Sequence, residues 1–223
     1  MKPEGKAVLL SIRPKWCDLI VRGEKTIEVR KTRPTIETPF KAYIYCTSVK
    51  NIKIQDYVEV HKATGGAVDD WSCKAIGEFT CNYIAPIFRA AAWIPGEPAK
   101  LYVRGAEGCC RKGYTDRLLR DACLNRADIE RYFGDLNGLA GYGWCISNLK
   151  IYDKPRELDE FSRFGFCGMN GTGVCGNEGC KHYEPSGNYM EPPTCAIDGC
   201  CLNRPPQSWC YVEELKDAEK SDR

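Results

Sequence analysis

The sequence has few histidines, no long apolar run and no large excess of either charge. No stretch reaches about 18 apolar residues, so no membrane-spanning helix is predicted. The apolar run after the charged N-terminus, residues 7–10, is short, and we expect no secretory signal. Only two histidines are present, His61 and His182, so a histidine-based catalytic triad would have to use one of them. No serine or cysteine motif surrounds His61.

The formal charge is small but unevenly distributed. The net charge of the chain is +2. Residues 1–60 contain twelve Lys/Arg and seven Asp/Glu, a net charge of +5. Residues 164–211 contain two Lys/Arg and four Asp/Glu, a net charge of −2. A basic bias of this size permits contacts with phosphate, and a solvated surface is the alternative.

The high number of cysteines is the most unusual feature of the composition. The chain has fifteen cysteines, an odd number, which argues against a complete disulfide framework when no secretory signal is expected. Clustered cysteines in an intracellular protein more often bind metal. We therefore expect a cytoplasmic protein with a metal site.

The first 163 residues show the patterns of an α+β domain. Residues 7–12 predict a strand, and Pro14 can begin a helix that Gly23 ends. Consecutive strands after a single opening helix favour a small mixed β-barrel over a doubly wound sheet. Further strands are predicted at 41–46, 57–61, 74–83, 141–151 and 208–212, and short helices at 116–123 and 125–133.

Two segments resemble a known family. Leu10–Pro14, followed by Gly-x-Lys-x-x-Glu-x-Arg at Gly23–Arg30, resembles the signature of the ASCH domain. Arg204–Val212 resembles the closing strand of bacterial and phage members. The resemblance covers residues 6–163 and 204–213 and implies a PUA-like barrel with short flanking helices. It also implies binding to RNA or action near nucleotides.

The resemblance divides the chain into three parts. Residues 1–163 and 204–213 form the predicted ASCH domain. Residues 164–203 form a cysteine-rich insertion before the closing strand, and residues 214–223 form a charged tail. The insertion has too few large apolar residues to fold by burying them. We therefore expect metal binding to provide the free energy that orders this segment.

One branch of the family is similar to amidohydrolases that deacetylate acetylcytidine. That branch uses a lysine with a second threonine and a downstream glutamate. Lys25 and Thr26 match its motif, but Glu28 occupies the place of the second threonine. Asp121 is the nearest acid where the downstream glutamate would fall. A hydrolase acting on modified nucleosides or RNA, amidohydrolase-like or ribonuclease, is therefore the alternative to a non-catalytic binding protein.

The candidate ligand site lies where the first helix ends and the next strand begins. A carboxylate beside an arginine makes a directional pocket for a base edge or a phosphate, and an aromatic ring can stack on an unpaired base. We expect these groups at the surface of a cleft, where substitution barely changes stability, and a surface ion pair is the alternative. The predicted site comprises Lys25, Thr26, Glu28, Arg30, Ser11, Trp209 and Tyr211.

The insertion contains two near repeats of Cys-x-x-acid-Gly-Cys. Two such turns supply four thiolates, which matches the tetrahedral preference of structural zinc. The predicted ligands are Cys175, Cys180, Cys195 and Cys200, with Cys167, Cys201 and His182 as spare donors. An iron–sulfur cluster, local disulfides and a reduced loop are the alternatives.

The leading hypothesis is an ASCH-domain protein that binds RNA, a single-stranded nucleic acid or a nucleotide-like ligand without catalysis. We expect no membrane contact. A third possibility is a zinc-stabilised module that grips a protein partner through the insertion.

Overall fold

A computed structural model describes residues 5–90, 100–104, 113–134, 138–164, 183–187, 190, 193–195 and 201–215. Its helices are α1 (Pro14–Val21), α2 (Ile54–Ala63), α3 (Ala67–Trp71), α4 (Tyr114–Asp121) and α5 (Arg126–Phe133). Its strands are β1 (Lys6–Ile12), β2 (Ile27–Arg30), β3 (Phe40–Cys46), β4 (Lys74–Ala90), β5 (Lys100–Val103), β6 (Gly138–Arg156), β7 (Tyr183–Glu184), β8 (Thr194–Cys195) and β9 (Trp209–Glu213). Among these helices, none has the length and apolar character needed to cross a membrane.

Seven strands form one mixed sheet in the order β2-β6-β4-β3-β1-β9, with β5 paired to β4. Strand β1 runs parallel to β3 and antiparallel to β9. The predicted α+β class is confirmed. Over the described residues, however, this sheet is not closed into the barrel that the sequence predicts, because its path ends at β2 on one side and β9 on the other.

The chain divides into two compact units. The first unit comprises residues 1–14, 41–78 and 151–223, and the second comprises residues 15–40 and 79–150. Each unit contains a cluster of buried apolar side chains. The core of the first unit includes Leu9, Tyr43, Ala75, Phe161 and Val212, and that of the second includes Val29, Ile87, Leu118, Ile129 and Phe133.

Helix α5 forms where local capping signals predict it. The Asn125 side chain accepts a hydrogen bond from the backbone N–H of Asp128, and the Asp128 carboxylate accepts one from the backbone N–H of Asn125. This reciprocal capping box satisfies two N–H groups at the start of the helix. Phe133 then packs so close to Gly141 of β6 that a Cβ there would fall 2.4 Å from its ring. Glycine is required at that point of β6.

The predicted strand at residues 57–61 is wrong, because this segment lies within α2. Val58 is 57% exposed and Val60 is 2% exposed. A strand would place these two side chains on the same face, whereas a helix separates them by about 200°. The alternating pattern from Tyr57 to His61 concealed the helical spacing. Helix α3 and strand β5 were not predicted, and β4 and β6 extend beyond the predicted strands.

Two of the last residues of the predicted insertion, Cys201 and Leu202, pack into the domain. Cys201 forms a β-bridge with Ser162, and the backbone N–H of Leu202 donates to the carbonyl of Phe161 at 2.8 Å. Both Cys201 and Leu202 are almost fully buried. These residues hold the chain that leads to the closing strand β9.

We expect that deleting residues 167–199 and joining the ends with a short Gly/Ser bridge leaves a single cooperative melting transition. Loop-closure entropy depends only weakly on loop length, and the deletion keeps Cys201 and Leu202. Melting followed by circular dichroism checks this. The matched deletion of 167–202 also removes the two buried residues and should melt at a lower temperature. Loss of cooperative melting in the shorter deletion would show that the insertion stabilises the domain.

Candidate functional site

The loop between α1 and β2 is fixed by backbone hydrogen bonds on both sides. Gly23 has a φ of 73°, a left-handed conformation that glycine adopts without strain, and its N–H donates to the carbonyl of Ile20. The N–H of Thr26 donates to the carbonyl of Asp121 at 2.8 Å, and the carbonyl of Thr26 accepts from Ile146 at 2.9 Å. The loop is thereby attached to α4 and β6.

Lys25 is buried under this loop. Its side chain is 2% exposed, and its ammonium group donates to the carbonyls of Ile27 and Ala122, each at 2.8 Å. The third partner is the carboxylate of Glu28, at 3.3 Å. An ammonium group has three N–H donors, so these contacts engage all of them. The Trp16 ring also lies near the amine, with its centroid 5.1 Å from Nζ.

Glu28 joins two cations. One carboxylate oxygen faces Lys25, and the other lies 3.0 Å from the guanidinium of Arg30. The side chains of Glu28 and Arg30 are 8% and 9% exposed. The structure therefore brings Lys25, Glu28 and Arg30 together, as the sequence predicts. The expected position at the surface of a cleft is wrong, since β2 is buried on its polar face as well as on its apolar face.

Exposed arginines surround the buried cluster. Arg117 and Arg120 of α4 both pair with Asp121, and their side chains are 72% and 75% exposed. Arg22, at the end of α1, pairs with Asp18 and Glu24. The second unit contains sixteen Lys/Arg against eleven Asp/Glu, a net charge of +5. The first unit contains sixteen against nineteen, a net charge of −3.

The other three predicted site residues lie in the first unit. The hydroxyl of Ser11 donates to the carbonyl of Pro206 at 2.6 Å, and its N–H donates to the carbonyl of Ser208 at 3.0 Å. Ser11 therefore helps to hold the closing segment. The rings of Trp209 and Tyr211 meet edge to face with centroids 5.3 Å apart. Their predicted role in ligand binding stays a prediction.

The neighbouring thiol Cys123 was not predicted as part of this region. Its Sγ donates to the carbonyl of Glu24 at 3.3 Å. Burial is the main cause that raises the pKa of Cys123. The thiol is thus protonated at neutral pH and fastens the loop, which argues against a thiolate nucleophile here. Contacts between residues so far apart in sequence leave no local signal.

The predicted zinc ligands fall largely outside the described residues. Cys175, Cys180 and Cys200 lie outside them, as do the spare donors Cys167 and His182. Cys195 belongs to β8, where its backbone pairs with Tyr183 of β7. In the parts of the chain that the structure describes, no group of three or more His, Cys, Asp or Glu is arranged to hold a metal.

Comparison with known proteins matches the part of the chain that contains the Gly23–Arg30 motif. Residues 10–81 match the family model of the ASCH domain. The crystal structure of ASCH from Zymomonas mobilis is 15% identical, covers 69% of this chain and 75% of its own, and gives a TM-score of 0.41. A mutant of that protein is 16% identical, with coverages of 71% and 78% and a TM-score of 0.42. Among curated proteins, none matches this chain. The resemblance seen at Gly23–Arg30 is confirmed, because this motif lies within the residues that match the ASCH domain.

Proposed function

We propose that the chain binds single-stranded RNA, or a nucleotide-like ligand, at the loop from Gly23 to Thr26 and the arginines around it. ASCH domains are thought to bind RNA, which supports a nucleic-acid partner. The observation that carries the proposal is the loop itself. It is fastened to a buried Lys25–Glu28–Arg30 cluster and surrounded by exposed arginines in a unit of net charge +5.

The buried cluster holds this surface in one shape. Lys25 is tied to the carbonyl of Ala122 at the end of α4, and Thr26 is tied to the carbonyl of Asp121. Thr26, whose side chain is exposed, therefore lies beside the end of α4, the helix that carries Arg117 and Arg120. A preorganised surface binds with a smaller loss of conformational entropy than a mobile one. In this proposal Lys25, Glu28 and Arg30 position the site from beneath, and the exposed Thr26 forms its contact edge together with Arg117 and Arg120.

Exposed arginines supply the attraction for the ligand. Guanidinium groups contact phosphates, and each neutralised phosphate releases counterions from the nucleic acid. Arg117 and Arg120 share a single acid, Asp121, so this group of three side chains carries a net charge of +1. Such a surface favours an anionic backbone.

The hydrolase alternative has less support at this loop. The lysine amine already donates to two carbonyls and a carboxylate, and Glu28 stands where the related amidohydrolases have a threonine. A catalytic Lys25 would need a neutral amine directed at the substrate. Binding without catalysis requires no rearrangement of these contacts.

We expect the double substitution Arg117→Gln/Arg120→Gln to weaken binding of a fluorescent 12-nucleotide single-stranded RNA. The logarithm of affinity should also fall less steeply with the logarithm of salt concentration, by up to about two units of slope if both arginines meet phosphates. Fluorescence anisotropy at several salt concentrations measures both effects. Stability should barely change, because exposed ion pairs contribute about 0–1 kcal/mol.

The matched control is Lys53→Gln/Lys62→Gln, which removes two exposed cations in the first unit, one at the N-cap of α2 and one in its last turn. It should leave a larger part of the affinity and of the salt slope intact. Equal losses in both double variants would indicate general charge attraction and would contradict a site at the loop. A wild-type protein that binds neither RNA nor free nucleotides would contradict the proposed function as a whole.

A further inference from the structure

The edge of the sheet formed by β5 exposes an aromatic and basic surface. Leu101 and Val103 point into the core of the second unit, and Tyr102 between them is 41% exposed. In the antiparallel pairing of β5 with β4, Tyr102 lies directly opposite Phe88. The two rings therefore occupy the outer face of the pair, since successive side chains of a strand alternate between faces.

An arginine lies against one of these rings, that of Phe88. The guanidinium carbon of Arg104 lies 4.9 Å from the centroid of the Phe88 ring, within the range of a cation–π contact. The backbone of Arg104 is fixed at the same time, because its carbonyl accepts a hydrogen bond from the Tyr83 hydroxyl at 3.0 Å. We call Phe88, Tyr102 and Arg104 the β5 face.

A second aromatic side chain in the same unit is also accompanied by a cation. Tyr132 of α5 is 41% exposed, and Nζ of Lys31 lies 5.3 Å from the centroid of its ring. The guanidinium of Arg89 donates to the carbonyl of Gly134, which connects the end of β4 to the end of α5. Aromatic rings next to cations therefore occur on both β4 and α5, the two elements that this hydrogen bond connects.

We propose that the β5 face is a base-stacking platform for single-stranded RNA, separate from the arginines of α4. This proposal rests on the proposed function. Every base presents a π-face that can stack on an exposed ring, and a neighbouring arginine can stack on a base or meet the phosphate beside it. The net charge of +5 on this unit complements a phosphate backbone. A purely apolar partner would be disfavoured, because its docking would desolvate the guanidinium of Arg104.

The platform is tested by three substitutions at one position. Tyr102→Ala removes the ring, and we expect the dissociation constant for a 12-nucleotide poly-U or poly-A RNA to rise by about 5- to 100-fold, the range for losing one stacked base. Tyr102→Phe keeps the ring and should bind within about twofold of wild type. Tyr102→Trp adds a sixth tryptophan, and RNA should quench tryptophan emission more strongly in this variant than in wild type if a base stacks on the new ring.

Leu139→Ala is the matched control, since Leu139 is 47% exposed in the same unit but carries no ring. It should bind RNA like wild type. If wild type binds RNA and Tyr102→Ala binds equally well, the platform is wrong while the proposed function survives. If wild type binds no single-stranded RNA, both fail. Loss of binding in Tyr102→Phe as well as Tyr102→Ala would show a role for the hydroxyl group and would overturn stacking.

Discussion

Replacing Lys25 with methionine should lower the free energy of unfolding by about 3–5 kcal/mol, the usual cost of removing one partner from a buried ion pair. The substitution leaves two buried carbonyls, those of Ile27 and Ala122, without the donor that now satisfies them. It also removes a cation from the buried carboxylate of Glu28. Methionine fills a similar volume, so the expected loss arises from polar groups and not from a cavity.

Denaturation by urea, followed by circular dichroism, measures this change in the free energy of unfolding. Arg117→Gln is the control, because it breaks an ion pair whose arginine side chain is 72% exposed. That variant should differ from wild type by less than about 1 kcal/mol. Equal small effects of both substitutions would mean that Lys25 is solvated in solution, contrary to the structure.

The double variant Lys25→Met/Glu28→Leu separates the pair from the rest of the cluster. In the double variant no buried Glu28 carboxylate is left without the lysine that pairs with it. Its loss in the free energy of unfolding should therefore be smaller than the sum of the losses of the two single variants. The difference measures the coupling between the two side chains. Strict additivity would indicate that Lys25 acts through the carbonyls of Ile27 and Ala122 alone.

Purified protein should contain about one zinc ion per chain, and Cys180→Ser should release it. This proposal rests on the two Cys-x-x-acid-Gly-Cys segments and on the small sheet between them. Strands β7 and β8 pair antiparallel, with Tyr183 opposite Cys195. Cys180 is three residues from Tyr183, a chain length of at most about 11 Å. The start of β7 and the end of β8 meet at one end of this pair, where both cysteine segments are attached.

The expected effect is large, because structural zinc contributes roughly 10–16 kcal/mol of apparent binding free energy in small zinc domains at neutral pH. Elemental analysis after purification under reducing conditions counts the metal. Proteolysis of the chelator-treated protein should cut first within the insertion, because its sequence has few large apolar residues to order it without the ion. Both measurements use the full chain.

Cys73→Ser is the matched control for the zinc experiment. Cys73 is an exposed cysteine outside the insertion, between α3 and β4, so its replacement should leave the metal content unchanged. Native protein that contains no metal would contradict the proposal. So would the finding that Cys175, Cys180, Cys195 and Cys200 are oxidised in pairs in fresh lysate. Iron in place of zinc would select the iron–sulfur alternative.

Burial also sets the chemistry of cysteines inside the domain. Burial is the first cause that raises the pKa of Cys81, to about 12, and of Cys210, to about 11. Both thiols are protonated at neutral pH, and neither is a ready nucleophile or metal ligand. A count of fifteen cysteines therefore overstates the reactive thiols. The position of a cysteine, inside the domain or in the insertion, therefore says more about its reactivity than the total count does.

Local signals in the sequence determined several elements of this protein. The N-terminal turn of α5 follows from Asn125 and Asp128, and the end of α1 follows from Gly23, because capping involves residues within one turn of each other. The motif from Gly23 to Arg30 identified the ASCH domain for the same reason. The residues that carry it lie close together along the chain.

Only the tertiary structure decided which polar residues are covered. Alternation along β2 predicts that Glu28 and Arg30 share a face, but it does not say whether another element lies over that face. The carbonyl of Ala122, which accepts from Lys25, is 97 residues away in sequence and belongs to the backbone, so no side-chain pattern reveals it. The segment from Tyr57 to His61 satisfies both a period of two and a helical period. Packing of Val60 into the core selected the helix, because burial depends on neighbours brought together by folding.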